Sequence, residues 1–382
     1  MVNYAFTPPL AAAKEIHVEH TGNWRGLLPI VLVNFLFNVI TIGFYRFWGK
    51  TKVRRYLWRH TVLDGTRLEY TGTGLELFFG FLVAAAIFFV VALGGEFMFG
   101  QSADPTTLMI YNLSFFAFIV LFTGFAVYRA RNYRLSRSNW RGIRGGMSGS
   151  AWRHALRWLG YNVLIILSLG FALPWVRTRL QTPLAKQSQF GGTNLQFNAP
   201  AGPLYRPFLI CLAATMAMFV FVGLLIVLSI YLSSEAVSAI MDEAKSAIET
   251  DFKQSISYGV GAVLGIIAVL FIGFFYVGIA AIFSCYFSFE LRHFLNHTGY
   301  QEMAVKIDAD AKSLIKLALG NFLLTLFTLG ICYPLAQLRN FKFFINRMSF
   351  DGALNIDAIL QSSQDKPQTG EGWAEMFDVG NV

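Results

Sequence analysis

Two stretches decide the solvent in which this chain folds. Residues 78–95 read FFGFLVAAAIFFVVALGG and residues 208–232 read FLICLAATMAMFVFVGLLIVLSIYL, neither with a charged side chain. A helix that crosses a bilayer needs about 20 apolar residues in succession. Apolar runs of that order occupy 26–45, 75–94, 108–128, 158–176, 207–232, 257–287 and 314–335, seven hydrophobic segments in all. Only 14% of the residues are charged, against about 25% in soluble domains. So few charges cannot cover a water-facing surface of 382 residues. The expected fold class is an all-α polytopic membrane protein, with residues 26–356 forming the membrane domain. Residues 1–25 read as a soluble, exposed lead-in without the basic start and apolar core of a signal peptide, and 357–382 as a polar tail.

The first and last apolar segments carry the same pattern. NFLFNVITIGFYRF (34–47) runs on into WGKTKVRRYLWRHTVLDG, and NFLLTLFTLGICYP (321–334) into LAQLRNFKFFINRMSFDG. Counted from Gly43 and Gly330, Pro334 stands opposite Phe47, Arg339 opposite Lys52 and Lys342 opposite Arg55. The pairs Asp64-Gly65 and Asp351-Gly352 fall at one offset. GYNVLIILSLGFALPWVRTRL is a weaker third copy. There Gly170 and Pro174 hold their places, Arg179 matches Lys52, and Gly191-Gly192 replaces Asp-Gly. Repetition at fixed offsets marks related units, here about 26–70, 157–197 and 313–356.

In each unit the Gly and Pro positions are expected to stop or bend the helix near the membrane surface. The basic, aromatic stretch that follows suits the headgroup layer, where Trp and Tyr rings and snorkelling Lys and Arg are favoured. Asp-Gly ahead of alternating side chains predicts a tight turn and a short strand in a cytoplasmic loop. These motifs, together with TVLDGTRLEYTGTG and the LFFGFL after it, resemble the YjgN family of bacterial inner-membrane proteins. The resemblance runs from about Gly22 to Ile356. It implies a bacterial inner membrane, and no activity or catalytic residue comes with it.

Charge sets the expected orientation. Basic residues in short loops mark the cytoplasmic side. Residues 45–74 hold seven Lys/Arg, 129–157 hold eight Arg and no acid, and 177–206 hold four with no acid, whereas 233–256 is acidic on balance. If all seven segments cross, the basic loops 129–157 and 177–206 lie on opposite faces. If 26–45, 158–176 and 314–335 enter and return, four segments cross and every Lys and Arg except Lys245 and Lys253 lies inside, with the C-terminus cytoplasmic. Irregular backbone at membrane depth must be buried in protein or face water. Asn34, Asn38 and Thr41, and Asn321, Thr325 and Thr328, are the polar residues available for that. The alternative is straight helices that use the same residues as interhelical hydrogen-bonding groups.

No phosphate-binding, zinc-protease or nucleophile-elbow motif is present. Cys211, Cys285 and Cys332 read as small core residues, and His293 with His297 as interfacial histidines. No cofactor or metal is expected. The apolar segments also lack the internal charges that ion-coupled carriers use. The expectation is a non-enzymatic membrane protein that binds anionic lipid headgroups, or docks a membrane protein partner, through Arg46, Lys50, Lys52, Arg54, Arg55, Arg59, Arg141, Arg144, Arg177 and Arg179. Nucleic acid is not an expected partner, because these residues lie against the membrane. The alternative is a transporter or channel for a neutral or small solute, its path lined by the repeats.

Overall fold

The computed structural model describes residues 16–100, 104–244, 285–352 and scattered positions from 273 to 283. The chain divides into two compact units. One comprises 1–202, 291–309 and 320–382, the other 203–290 and 310–319.

In the larger unit, helices come in pairs. α1 (Trp24–Ile40) starts where the Asn23 side chain accepts a bond from the Gly26 amide at 2.7 Å. Such a cap satisfies one of the four amides every helix start leaves without an internal partner. The chain then reverses and continues as α2 (Arg46–Arg59). α5 (Ala151–Leu167) and α6 (Leu173–Gln187) repeat this arrangement, as do α10 (Tyr333–Ile345) and the part of α9 (Ala311–Phe327) that belongs to this unit, residues 320–327.

The three reversals share one backbone solution. Ile42, Leu169 and Leu329 have φ of 51°, 50° and 50°, and the glycine after each has 87°, 88° and 82°. The Gly43, Gly170 and Gly330 amides donate to the carbonyls five residues back at 2.7–2.8 Å. A Thr or Ser hydroxyl then accepts from the amide four residues on: Tyr45 to Thr41, Ala172 to Ser168, Cys332 to Thr328. This is a Schellman-type helix end with an aliphatic residue in the left-handed position that glycine normally takes. Such a residue costs on the order of 1–3 kcal/mol. Ile42, Leu169 and Leu329 are each about 90% exposed, so packing within the described protein does not explain their choice.

α3 (Gly74–Gly95), with a π turn at Glu96–Gly100, and α4 (Pro105–Arg137) form a longer pair. A capping box between Thr73 and Glu76 starts α3, and Asp104 caps α4. Among the described residues, three helical stretches are long and apolar enough to cross a membrane: Gly74–Gly100, Pro105–Arg137 and Gly202–Leu228. The last lies in α7 (Gly202–Ala244), the main element of the smaller unit. It runs antiparallel to the returning helix, with ring contacts Phe208 to Tyr286 and Phe219 to Phe275. Residues 285–296 of that return are helical and are called α8. Most of the expected segment 257–287 lies outside the described residues.

The fold is not all-α. Among the described residues eleven strands join the helices: β1 (Val18–His20), β2 (Thr61–Leu63), β3 (Thr66–Arg67), β4 (Glu69–Tyr70), β5 (Ser138–Trp140), β6 (Ile143–Met147), β7 (Ser188–Phe190), β8 (Thr193–Phe197), β9 (Thr298–Tyr300), β10 (Met303–Ile307) and β11 (Met348–Asp351). β4 to β11 form one antiparallel sheet in sequence order, and β1 to β3 another. The two meet at both edges. β3 runs into β4 through Leu68, and Ile16 bridges Phe350 beside β11. The pairing therefore closes on itself, and the short strands leave no open edge.

One rule generates this circuit. Where α2, α4, α6 and α8 end, the first strand residue is Thr61, Ser138, Ser188 or Thr298, and its hydroxyl donates to the carbonyl four residues back. This satisfies a carbonyl that the helix end would otherwise leave open. A two-residue turn follows. Asp64-Gly65 and Arg141-Gly142 both have positive φ at each position, the type I′ geometry that matches strand twist. The tight turn expected at Asp64-Gly65 is present. Gly352 is required in its turn, because a Cβ there would meet the Glu302 carbonyl oxygen at 2.2 Å.

Register repeats as well. Phe190 pairs Gly145, Tyr300 pairs Leu195, Phe350 pairs Val305, and Leu63 pairs Val18. The last match places residues 16–20 of the expected lead-in as a ring strand, with Ile16, Val18 and His20 all under 10% exposed. Leu63, Trp140, Phe190, Tyr300 and Phe350, one from each first strand, line an apolar cavity of about 290 Å³ inside the ring.

Candidate functional site

α1 and α2 pack as an antiparallel hairpin. The Asn34 amide donates to the Gly49 carbonyl at 3.2 Å, and at the base the Tyr56 hydroxyl donates to the Asn23 carbonyl at 2.8 Å. Gly49 allows the close approach, since a Cβ there would stand 3.3 Å from the Asn34 amide. In the last hairpin Asn321 takes the place of Asn34. Its amide donates to the Ala336 carbonyl at 3.5 Å and to Asn340 Oδ1 at 2.5 Å. Leu27, Val31, Val53 and Leu57 of the first hairpin form one buried cluster with Leu338 of the last, so the two stand side by side.

Between them, on the tip side of that cluster, lies a cleft of about 380 Å³. Val31, Asn34, Phe35, Asn38, Arg46, Gly49, Lys50 and Val53 form one wall, and Leu329 to Ile331, Tyr333, Pro334 and Gln337 the other. Among the described residues the lining holds two cations, Arg46 and Lys50, and no acidic side chain. The side-chain carbonyls of Asn34 and Asn38 are buried and have no hydrogen-bond partner among the described residues, as is true of Asn321. A buried acceptor left unpaired costs about 1–3 kcal/mol, and native proteins keep few of them. Arg46 also stacks over Phe47 and Phe81, with ring centroids 5.0 and 5.1 Å away.

The pattern of the family described as "Bacterial protein of unknown function (DUF898)" matches residues 15–376, nearly the whole chain. The chain belongs to the DUF898 family. Inner membrane protein YjgN of Escherichia coli O157:H7 is 25% identical over 150 residues, 39% of this chain and 35% of that protein. Inner membrane protein YjgN of Salmonella typhimurium is 37% identical over 70 residues, 18% of each. The matched part thus spans between about a fifth and a third of these relatives' length. No solved structure matches. Relatives of the inner membrane and helices able to span it place this DUF898 protein in the bacterial inner membrane.

The basic residues do not form one flat layer, as expected from a helix that stops at the surface. Because α2 folds back along α1, Arg46 sits near the tip and Arg59 lies about 20 Å further along the axis, at 1.5 Å per residue. Arg46 and Lys50 join the cleft. Lys52 donates to the Tyr45 hydroxyl, Arg54 to the Tyr70 hydroxyl at 3.5 Å, and Arg55 to the Gly72 carbonyl at 2.8 Å. Arg141 is tied to Asp64 at 3.0 Å across neighbouring turns, and Asp351 pairs with Lys306. Each aspartate is thus held by a cation of a neighbouring turn or strand. Arg144 lies on β6, while Arg177 and Arg179 are exposed on α6, Arg179 over the Trp175 ring at 5.2 Å.

Of the turn and polar positions, Asn34, Asn38, Gly330 and Pro334 meet in the cleft. Gly170 and Pro174 belong to the middle hairpin, and the Thr325 hydroxyl donates to the Asn321 carbonyl. His293 Nε2 and His297 Nδ1 each face a backbone carbonyl, at 2.8 and 2.7 Å. Sequence reading missed Gln337 in the cleft. It also missed the partly buried carboxylate contact of α3 and α4, where Arg137 and the Tyr133 hydroxyl both donate to Glu76 at 2.6 and 2.5 Å. Glu76 and Arg137 are 61 residues apart, and no local pattern joins them.

Proposed function

We propose that the protein is a non-enzymatic inner-membrane protein that binds anionic lipid headgroups, with the cleft between its first and last hairpins as the principal seat. The observation that carries this reading is that Arg46 and Lys50 line a cleft together with the apolar side chains Val31, Phe35, Val53 and Ile331. Charges near membrane-inserted tips are costly unless they serve a site, and each Lys or Arg near an anionic surface is worth about 1 kcal/mol. The tips support insertion. Ile42, Leu169 and Leu329 accept left-handed backbone while almost fully exposed, a choice that suits an apolar surrounding. The three short hairpins are read as related re-entrant units, each apolar leg being 17 residues, about 26 Å against about 30 Å of hydrocarbon. Four segments then cross, and both chain ends are cytoplasmic.

The test is native mass spectrometry of protein extracted in mild detergent. Wild type is expected to retain acidic phospholipid, and Arg46→Gln with Lys50→Gln to lose most of it while remaining folded. Retention unchanged by the double substitution would sink the reading. The helix breaks beside a polar cleft also favour a second reading, passage of a small solute. Flux in vesicles that disappears with Asn34→Leu would establish that one instead.

A further inference from the structure

The ring of strands encloses a space that headgroup binding leaves unused. Leu63, Leu68, Phe190, Leu195, Val305 and Phe350 line it and are only half-buried, so they leave room between them. Trp58 from the end of α2 and Leu135 from the end of α4 add to the wall. The volume of about 290 Å³ equals about ten water volumes, whereas native interiors hold few voids larger than one water. Among the described residues no Asp, Glu, Lys, Arg or His lines it. The polar tips of the wall are engaged within the protein. Trp58 Nε1 donates to Ser138 Oγ at 3.0 Å, Trp140 Nε1 to the Leu63 carbonyl at 3.2 Å, and the Tyr300 hydroxyl to the Phe190 carbonyl at 2.8 Å. The Ser138 and Ser188 hydroxyls donate to helix carbonyls. Water held in a cavity needs two to four polar partners, and apolar cavities about half this size stay dry and take apolar guests.

We infer that this lumen binds one fatty-acyl chain. Small closed β-barrels hold a single small ligand, and barrel mouths are among the usual small-molecule sites. A polar or heteroaromatic ligand would need donors or acceptors to orient it, and those named above are spent. A hydrocarbon chain needs only an apolar wall, and the surrounding bilayer supplies acyl chains in excess of any other apolar molecule. The space accepts on the order of ten chain carbons, with the polar or charged end left in water outside the ring. The chain is that of a free fatty acid or of a lipid. The lumen shares no lining residue with the cleft between the hairpins, so the two sites stand or fall separately.

The experiment measures equilibrium binding of radiolabelled fatty acids of six to sixteen carbons to the full chain in digitonin, a steroid detergent with no alkyl chain. Affinity is expected to rise about fourfold per added carbon, the worth of one buried methylene. The rise should stop at about ten to twelve carbons, where the lumen is full. Val305→Trp, which fills the lumen, should weaken binding of the twelve-carbon acid about tenfold or more. Val305→Ala, which widens it, should keep that binding and move the plateau to longer chains, a gain that a misfolded ring would not show. Affinity that climbs through sixteen carbons without a plateau means partition into the micelle and overturns the inference. Binding unchanged by Val305→Trp overturns it too. Binding lost on Arg46→Gln with Lys50→Gln would put the acid in the cleft, which overturns the lumen site and leaves the lipid reading standing. A twelve-carbon lysophospholipid added as competitor separates the sources. Displacement of the fatty acid supports a lipid chain, and no displacement supports a free acid.

Discussion

Ile16 bridges Phe350, so one end of the described chain closes a circuit of strands begun by the other. Ile16 stands where Thr66, Ile143, Thr193 and Met303 stand in the chain's four β-hairpins. The fifth first strand, β11, takes its partner from the N-terminus. Closure in this way keeps the hydrophobic cluster of Ile16, Tyr300 and Met303 from opening to water.

Shortening Ile16 to Ala should therefore destabilise the fold by about 2–3 kcal/mol, the usual cost of a large-to-small change in a core. Glu19→Ala, on the exposed face of the same strand, should change it by less than about 0.5 kcal/mol. Unfolding followed in detergent separates the two. Equal effects would mean that the strand is not part of the core.

His20, two residues along from Val18, makes the closure sensitive to acid. Burial is the main reason its pKa falls to about 4, helped by the nearby His60 and Lys342. Its Nδ1 lies 3.0 Å from the Thr61 hydroxyl, and its Nε2 has no partner. Unfolded histidine titrates near 6.5, so between about 4 and 6.5 the unfolded chain binds more protons. Stability should be flat above pH 6.5, fall as pH drops towards 4, and level off below. The full loss is at most about 3 kcal/mol. His20→Gln should flatten that slope in unfolding curves taken across the range.

The hairpin breaks were legible where Thr-x-Gly was written out, at Gly43 and Gly330. The middle unit read as weaker because Gly191-Gly192 replaces Asp-Gly, yet its break is the same, since the Ser168 hydroxyl accepts the Ala172 amide where the other copies use threonine. Asp64-Gly65 announced a turn, but Gln301-Glu302 did not, although Gln301 takes φ of 52°. The ring itself was hidden, since strands of two to five residues carry almost no period. Its closing pair joins residues at opposite ends of the sequence. The cleft was half legible. Asn34 and Asn38 stood out as polar residues in an apolar run, yet only the reversal at Gly43 brings Arg46 and Lys50 back beside them.

The tips offer a test in two solvents. Ile42 holds a left-handed φ of 51°, which asparagine tolerates better than a β-branched residue does. Ile42→Asn should leave stability in detergent unchanged or raise it by about 1 kcal/mol. In the bilayer the same change should reduce the membrane-inserted fraction, because the side chain is 90% exposed on the protein and the proposed seating puts it among lipid tails. An unchanged inserted fraction would place the tip in water.

Side-specific labelling decides how the hairpins sit in the membrane. Ser188 is 1% exposed and would not react whichever side it faced, so Asn194, exposed on β8, is the better reporter for the loop after the middle hairpin. Glu96, exposed at the end of α3, reports the far side. In a background with Cys211, Cys285 and Cys332 replaced by Ser, an impermeant maleimide added outside intact cells should modify Glu96→Cys. Asn194→Cys should react only after the membrane is opened. That pattern follows if α3 and α4 cross while α5 and α6 enter and return. Reaction of Asn194→Cys from outside would mean that the middle hairpin crosses, and a path through the hairpins would then outrank a headgroup seat.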